Sequence, residues 1–158
     1  LERSQFYVDL GLEEAMNYIE SLLEKVNHHF SKQEYMDAVD YLEQISQLSR
    51  FYNFSKIHQI CLAYHQDIIN EFSIFEALAY FIEHQYPRVH LSEISEKSHV
   101  SVKKGEEIIQ KLVKLHIINA EYDSNSQGLT FHFMQSEIDT LLAQFDNWDA
   151  EKIGKKII

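Results

Sequence analysis

The scarcity of helix breakers is the feature that most limits what this chain can fold into. Only one of its 158 residues is proline, Pro87, and only four are glycine. Because proline and glycine interrupt helices most strongly, a chain with so few of them favours long helices and short connections. With 45% hydrophobic residues, the chain can bury one core or two small ones. We therefore expect a mostly α-helical protein.

The first 72 residues have the spacing of amphipathic helices. Apolar residues recur every three or four positions in three successive segments, so each segment has one apolar stripe. Ser31, followed three residues later by Glu34, predicts a capping box at the start of the second helix. Three such helices with short links predict a hairpin array that is similar to a helical-repeat stack. The predicted helices span residues 12–30, 31–49 with Ser31 as the N-cap, and 55–71.

Residues 73–134 predict shorter helices and a β-ribbon. One helix ends before Pro87, since proline cannot continue it, and a short extended run follows. Ser92 and Ser101 are predicted to cap two further helices. Two strand-like runs separated by a polar turn then predict a hairpin, with Gly128 at a positive φ. A helix followed by a ribbon is how a winged helix ends, so these residues predict a winged-helix subdomain.

Residues 135–158 predict one more amphipathic helix, which carries Phe145 and Trp148, and then a frayed tail over the last ten residues. The predicted fold is thus mostly α with a small β-ribbon. Its predicted parts are a helical, repeat-like bundle at 1–72, a winged helix at 73–134, and a C-terminal helix and tail at 135–158.

The stretch VHLSEISEKSHVSVKKGEEIIQKLVKLHIINAEYDSNSQGLTFHF, Val89 to Phe133, resembles the PCI domain. That module occurs in subunits of the proteasome lid, the COP9 signalosome and the third translation initiation factor complex. Two departures mark a divergent, PCI-like member: His116 sits where a glycine commonly ends the helix, and Gly105 where the family usually has an apolar residue. The matching positions are Ser101, Ile108, Ile109, Leu112, Ile118, Ala120, Tyr122, Asp123, Gly128, Leu129 and Phe131.

The resemblance implies a non-catalytic scaffold subunit of an intracellular multiprotein complex. Its helical bundle and winged helix would bind other subunits, other PCI proteins among them. A strand edge from Leu129 to Phe133 would be open to pairing with another chain. A further hypothesis is an adaptor in a ubiquitin-like ligase pathway, which would share the fold but not the complex. The predicted interface residues are Leu129, Phe131, Phe133, Phe145 and Trp148.

The main rival hypothesis is a winged-helix, DNA-binding transcriptional regulator. In that case the helix after Ser101 would enter the major groove. Only Gln110 on that helix could make a bidentate contact with adenine, and Asp123 at the ribbon tip would repel phosphates. The chain also has a net charge of −11, concentrated in residues 1–73, so we do not expect nucleic acid to be its partner. The residues that would face nucleic acid are Lys103, Lys104, Gln110, Lys111 and Lys114.

No motif for catalysis, phosphate binding or a cofactor occurs in the sequence, so we expect neither an enzyme nor a small-molecule ligand. His58, Cys61 and His65 share one helix face at metal-ligand reach, but Cys61 lies at the centre of an apolar stripe. A free cysteine there behaves as a small apolar residue, and we expect no metal site.

The single cysteine excludes a disulfide framework and fits a reducing compartment. No apolar run approaches the ~20 residues that span a membrane. The first ten residues carry charges where a signal peptide would be apolar. We expect a cytoplasmic or nuclear protein without membrane contact. Since the chain starts at Leu1 rather than methionine, we also expect it to be a piece of a longer protein.

Overall fold

The computed structural model describes residues 2–132 together with Asp139, Ala143 and Ile153, and side chains from Gly11 onwards. This part of the chain is mostly helical, as the sequence predicts, and the predicted β-ribbon forms part of one three-stranded antiparallel sheet. The chain divides into two compact units, Leu1–Ile68 with Asp149–Ile158, and Ile69–Trp148. The elements are α1 (Glu2–Ser31), α2 (Tyr35–Tyr52), α3 (Ser55–Glu83), β1 (Arg88–His90), α4 (Leu91–Ser98), α5 (Val102–Lys114), β2 (Ala120–Asp123) and β3 (Gly128–Phe131).

In the first unit, α1 and α2 pack together as a helical hairpin. The two apolar stripes face each other, and burying each large aliphatic side chain stabilises the fold by about 1.5–3 kcal/mol. Ala38, in the middle of the α2 stripe, is fully buried, as expected for a small residue at a close helix contact. The buried residues of the hairpin include Ala15, Ile19, Leu22, Val26, Tyr35, Ala38, Val39, Leu42 and Ile45.

The link between α1 and α2 differs from the predicted capping box. α1 continues through Ser31, whose hydroxyl donates to the carbonyl of His28 at 2.8 Å. The chain reverses at Gln33, which has a φ of 59°, and the N-cap residue of α2 is Glu34, without a side-chain cap. The capping prediction for Ser31 was wrong because the left-handed turn at Gln33 moves the start of α2 beyond the reach of Ser31.

α3 is a single helix of 29 residues where we predicted two helices that meet near Phe72. Neither proline nor glycine occurs between Ser55 and Glu83. Ser73, the residue at the predicted break, costs only about 0.5 kcal/mol relative to alanine inside a helix. Nothing local therefore ends the helix at that point, and it continues to the turn before Pro87.

In the first unit, α3 buries Cys61, His65 and Ile68. Nε2 of His65 lies 2.7 Å from the carbonyl oxygen of Ile153. Ile153 is helical and only 1% exposed, so at this position the predicted frayed tail is ordered and buried instead. The apolar side chain of Ile153 and its hydrogen bond to His65 explain the difference.

The second unit confirms several local predictions. α3 ends at Glu83, and Gln85 reverses the chain with a φ of 61° before Pro87. Ser101 caps α5, since its hydroxyl oxygen accepts from the backbone N–H of Lys104 at 3.3 Å. The N-cap of α4 is His90 rather than Ser92: Nδ1 of His90 accepts from the N–H of Ser92 at 3.1 Å. An imidazole nitrogen takes the position usually occupied by a serine or aspartate oxygen.

The sheet has the strand order β1-β3-β2, with all neighbours antiparallel. The predicted hairpin of β2 and β3 is confirmed, but the positive φ belongs to Gln127, at 54°, and not to Gly128. A Cβ at position 128 would overlap the guanidinium of Arg88, so a larger residue there would displace the end of that side chain. The core of this unit includes Ile74, Phe75, Leu78, Val89, Leu91, Ile94, Ile108, Ile109, Leu112, Ile118 and Leu129.

No helix in the described part of the chain is both long and apolar enough to cross a membrane. The segment boundaries that we predicted after residues 72 and 134 stay a prediction.

Candidate interaction surfaces

The lysines of α5 are partly neutralised within the chain. Nζ of Lys111 lies 2.9 Å from Oε2 of Glu71, a carboxylate that is 2% exposed. Nζ of Lys104 lies 3.7 Å from Oε2 of Glu107 on the exposed surface of the same helix. An exposed pair of this kind contributes little to stability, yet it balances the local charge. Two of the four lysines predicted to face nucleic acid therefore have a carboxylate partner.

The remaining nucleic-acid candidates share one face of α5. Lys103, Gln110 and Lys114 are exposed and lie within about 40° of one another around the helix axis. The turn of the ribbon contributes no lysine or arginine of its own, since it has the sequence SNSQ and follows Asp123. Two lysines and one glutamine make a small cationic surface for a ligand whose affinity depends on phosphate neutralisation.

The strand that we expected at the sheet edge lies in its centre. β3 pairs with β1 on one side and with β2 on the other, so its backbone is not available to another chain. Leu129 is fully buried in the core and Phe131 is half-buried. The edge prediction for this strand was wrong because β1, about 40 residues earlier in the chain, pairs with it. Phe133, Phe145 and Trp148, the other interface candidates, lie outside the described residues.

The sheet has two edge strands, β1 and β2, and within the hairpin the edge strand is β2. The backbone N–H of His132 donates to the carbonyl of Asn119 at 2.9 Å, which makes these two residues a hydrogen-bonded pair of the ladder. Antiparallel ladders alternate, so Glu121 faces β3 while the N–H and C=O groups of Ala120 and Tyr122 point to the other side. No strand of the described residues pairs with β2 on that side.

The turn between β2 and β3 is held by a short polar chain. The guanidinium of Arg88 donates to the Ser126 hydroxyl at 2.8 Å, and that hydroxyl donates to Oδ2 of Asp123 at 3.0 Å. Oδ1 of the same carboxylate accepts from the N–H of Asn125 at 3.0 Å. These hydrogen bonds favour the charged form, so the pKa of Asp123 lies below its ordinary value. The tip of the ribbon is thus fixed relative to β1.

A tyrosine joins β2 to α5. The hydroxyl of Tyr122 donates to Oε2 of Glu106. Burial raises the pKa of Tyr122 above its ordinary value, and the hydrogen bond to Glu106 and the negative charge of that carboxylate raise it further. The hydroxyl therefore stays protonated and keeps donating, which holds β2 against the helix.

The first unit carries exposed apolar side chains of its own. Phe51 is 80% exposed and Tyr18 is 51% exposed, and both line a groove of about 400 Å³ between α1 and α2. Leu48 lies in the same groove with Gln44 and Gln47. Single exposed apolar residues are common on protein surfaces, but a cluster in a groove is typical of a surface that another protein covers.

Among the described residues, one group of three side chains has metal-ligand reach. His29, Glu34 and Asp37 place their ligand atoms within 4.8 Å of one another, and the two carboxylates are exposed. Within the part of the chain that the structure describes, no such group includes His58, Cys61 or His65, which lie on one face of the predicted helix. Burial raises the pKa of the Cys61 thiol to about 11, so it is a neutral, apolar core group.

No protein-family model matches this chain, and no curated protein matches it either.

Proposed function

We propose that this chain is a non-catalytic interaction subunit of a multiprotein complex, a PCI-like protein in which a helical bundle and a winged helix bind other subunits. The winged-helix proposal is supported by the order of elements, because α5 leads through β2 into β3 and β1 completes the sheet. The helical bundle is supported by the buried hairpin of α1 and α2.

The observation that carries the proposal is the open edge of β2. An unpaired strand edge presents backbone donors and acceptors that a strand of another chain can use. Ala120 and Tyr122 offer these groups, and the Tyr122–Glu106 hydrogen bond holds the strand in place. β2 is only four residues long, so pairing at this edge needs contacts elsewhere to give a stable complex.

The groove at Tyr18, Leu48 and Phe51 supplies a second surface of the proposed kind. Phe51 is so exposed that its ring contributes little to the core of its own unit. Aromatic residues are enriched where protein partners bind, and truncating one at the centre of an interface commonly costs more than about 1 kcal/mol of binding free energy.

Charge argues against nucleic acid as the main partner. The chain has a net charge of −11, and Lys104 and Lys111 each contact a carboxylate. The exposed face at Lys103, Gln110 and Lys114 is the feature that favours the alternative, a DNA-binding regulator. With two lysines free to contact phosphates, binding would be weak and would be lost as salt rises.

The test is affinity purification of the full-length protein from its native cells, with and without nuclease, comparing matched proline variants. Ala120→Pro removes an N–H at the open edge, at the first residue of β2, where proline is tolerated. Glu121→Pro removes an N–H that faces β3 and should instead disrupt the sheet. Phe51→Ser tests the groove without altering a buried side chain.

The proposal expects a fixed set of stoichiometric proteins that survives nuclease and moderate salt. Ala120→Pro should lose part of that set while its thermal stability stays close to that of the unmodified protein. If Ala120→Pro and Phe51→Ser both retain the same partners as the unmodified protein, the assignment of these surfaces is overturned. Retention of nucleic acid that falls steeply with salt, without stoichiometric proteins, would overturn the proposal in favour of the DNA-binding alternative.

A further inference from the structure

A second groove, in the unit Ile69–Trp148, has a lining of aromatic and acidic side chains. It has a volume of about 460 Å³ and lies between the end of α3 and α4. The aromatic residues come from α3 and the turn that follows it, whereas the acidic residues come from α4. The lining residues are Tyr80, Phe81, Tyr86, Glu93, Glu96, Lys97 and His99.

The rings of the groove are held by a rigid turn. The backbone N–H of Tyr86 donates to the carbonyl of Phe81 at 3.0 Å, across the left-handed residue Gln85. The Phe81 and Tyr86 rings meet edge to face with centroids 5.3 Å apart, and Phe81 meets Tyr80 in the same way at 5.4 Å. Phe81 is buried, and it supports two tyrosines that are exposed. The tyrosine rings are therefore presented to solvent in fixed positions.

A cation from the chain itself already occupies this groove. Nζ of Lys97 lies 3.8 Å from the centroid of the Tyr80 ring. The face of an aromatic ring attracts an ammonium group because of its quadrupole, and this contact is well within the usual limit of about 6 Å. Glu93 and Glu96 line the same groove, so their carboxylates add a negative potential near the rings. Rings and carboxylates together are complementary to a positive charge.

We propose that this groove binds a lysine side chain from a basic segment of a partner protein, which takes the place of Lys97 over Tyr80. The inference rests on the proposed function and names the chemistry of one partner surface. Tyr80 and Tyr86 are 36% and 45% exposed, so the groove accepts a side chain whose backbone lies outside it. The net charge of −11 favours the approach of a basic segment over long distances.

The probe is a short peptide, acetyl-Gly-Lys-Gly-Lys-Gly-amide, compared with the same peptide carrying acetylated lysines. Both are titrated into the full chain while backbone amide shifts are followed by NMR. Saturable shifts at Tyr80, Tyr86 and Glu96 are expected with the charged peptide only. Equal shifts with the neutral peptide, or shifts spread over acidic residues throughout the chain, would overturn the proposal.

Lys97→Met tests the competition directly, because it removes the charge and keeps an apolar side chain of similar reach. Removing a cation–π contact at an exposed site should tighten peptide binding about two- to fivefold. Lys103→Met on α5 is the matched control and should leave the affinity unchanged, apart from the small effect of total charge. Affinity that is unchanged in Lys97→Met, or that rises equally in both variants, contradicts the proposal.

Tyr86→Leu and Glu96→Gln complete the test, since each removes one half of the complementary surface. Both variants should bind the charged peptide more weakly, and circular dichroism checks that each variant is folded. The peptide titration uses the isolated chain, so it gives an answer whether or not stoichiometric partners are found. If partners persist in Tyr86→Leu but are lost in Ala120→Pro, the proposal that the groove binds a partner's lysine is overturned, and the proposed function stands.

Discussion

The ammonium nitrogen of Lys111 lies 2.9 Å from Oε2 of Glu71, and the Glu71 side chain is only 2% exposed. Removing the lysine leaves a buried carboxylate without its charged partner. We expect Lys111→Met to lower the free energy of unfolding by about 2 kcal/mol, the range of hydrogen bonds to charged groups. Urea denaturation measures this value. Lys114→Met, at an exposed position of the same helix, is the control and should change stability little.

The double variant Glu71→Gln with Lys111→Met separates the charge from the packing. A buried neutral amide loses less than a buried carboxylate when the ammonium group is removed, so the double variant should be more stable than Lys111→Met alone. Glu71→Gln alone is measured as well. If the loss of stability in the double variant equals the sum of the losses in Glu71→Gln and Lys111→Met, the two side chains act independently.

Gly105 is expected to be replaceable with a gain in stability. It lies in the interior of α5, and a Cβ built there would lie 3.6 Å from Cδ1 of Ile74 and 3.8 Å from Cδ1 of Leu91. These are ordinary contact distances. Gly105→Ala should therefore raise the free energy of unfolding by about 1 kcal/mol, the difference in helix propensity.

Gly128→Ala provides the opposite case. Its Cβ would overlap the guanidinium of Arg88, which would have to move and give up its hydrogen bond to Ser126. We expect a loss of no more than about 1 kcal/mol, because the end of an arginine side chain can move. Thermal denaturation of both glycine variants should shift in opposite directions, and shifts of the same sign would contradict the geometry at one of the two sites.

Asp123 should titrate below its ordinary value of 3.8, mainly because of its hydrogen bonds to the Ser126 hydroxyl and the Asn125 amide. A depressed pKa in the folded state stabilises the fold at pH values above the unfolded pKa. That contribution is lost as pH falls through the folded pKa. Carbon-detected NMR of the carboxylate measures the pKa directly. Ser126→Ala should move it upwards, and an unchanged pKa would show that this hydroxyl does not set it.

Burial of Cys61 should make stability fall at alkaline pH. Its pKa rises from 9.0 to about 11 in the folded state, so the unfolded chain releases the thiol proton first. The contribution to stability is complete below pH 9 and is lost as pH rises towards 11. Urea denaturation at pH 8, 9 and 10 measures the decline, and Cys61→Ala should show less of it. Equal declines in both proteins would show that deprotonation of tyrosines, and not of Cys61, causes the loss of stability.

Local sequence signals predicted the elements that depend on neighbouring residues. Ser101 caps α5, the ribbon lies where alternation and the polar turn placed it, and α3 ends before Pro87. Each of these features is decided within a few residues by one hydrogen bond, one backbone restriction or one period. The predicted break near Phe72 was wrong because no local signal, such as a proline or a glycine, ends the helix there.

The errors at Ser31 and Gly128 come from left-handed turns at other residues. Gln33 and Gln127 take the positive φ values, and glutamine is not a residue type that indicates such a conformation. Positive φ values are most common at glycine and, among the other residues, at Asn, Asp and His. The turn at Gln127 is held by groups brought together by the fold, among them Arg88 of β1, so a reading of the hairpin alone could not place it.

The sequence by itself determined that this chain is mostly helical, with one small sheet near residue 120, because periodicity and breakers act over short distances. Tertiary structure decided which strand lies at the edge, since β1 joins β3 from about 40 residues away. It also decided which lysine of α5 meets a buried carboxylate, and it placed Lys97 over the ring of Tyr80. These relationships depend on packing between elements that are distant in the chain, and no local pattern encodes them.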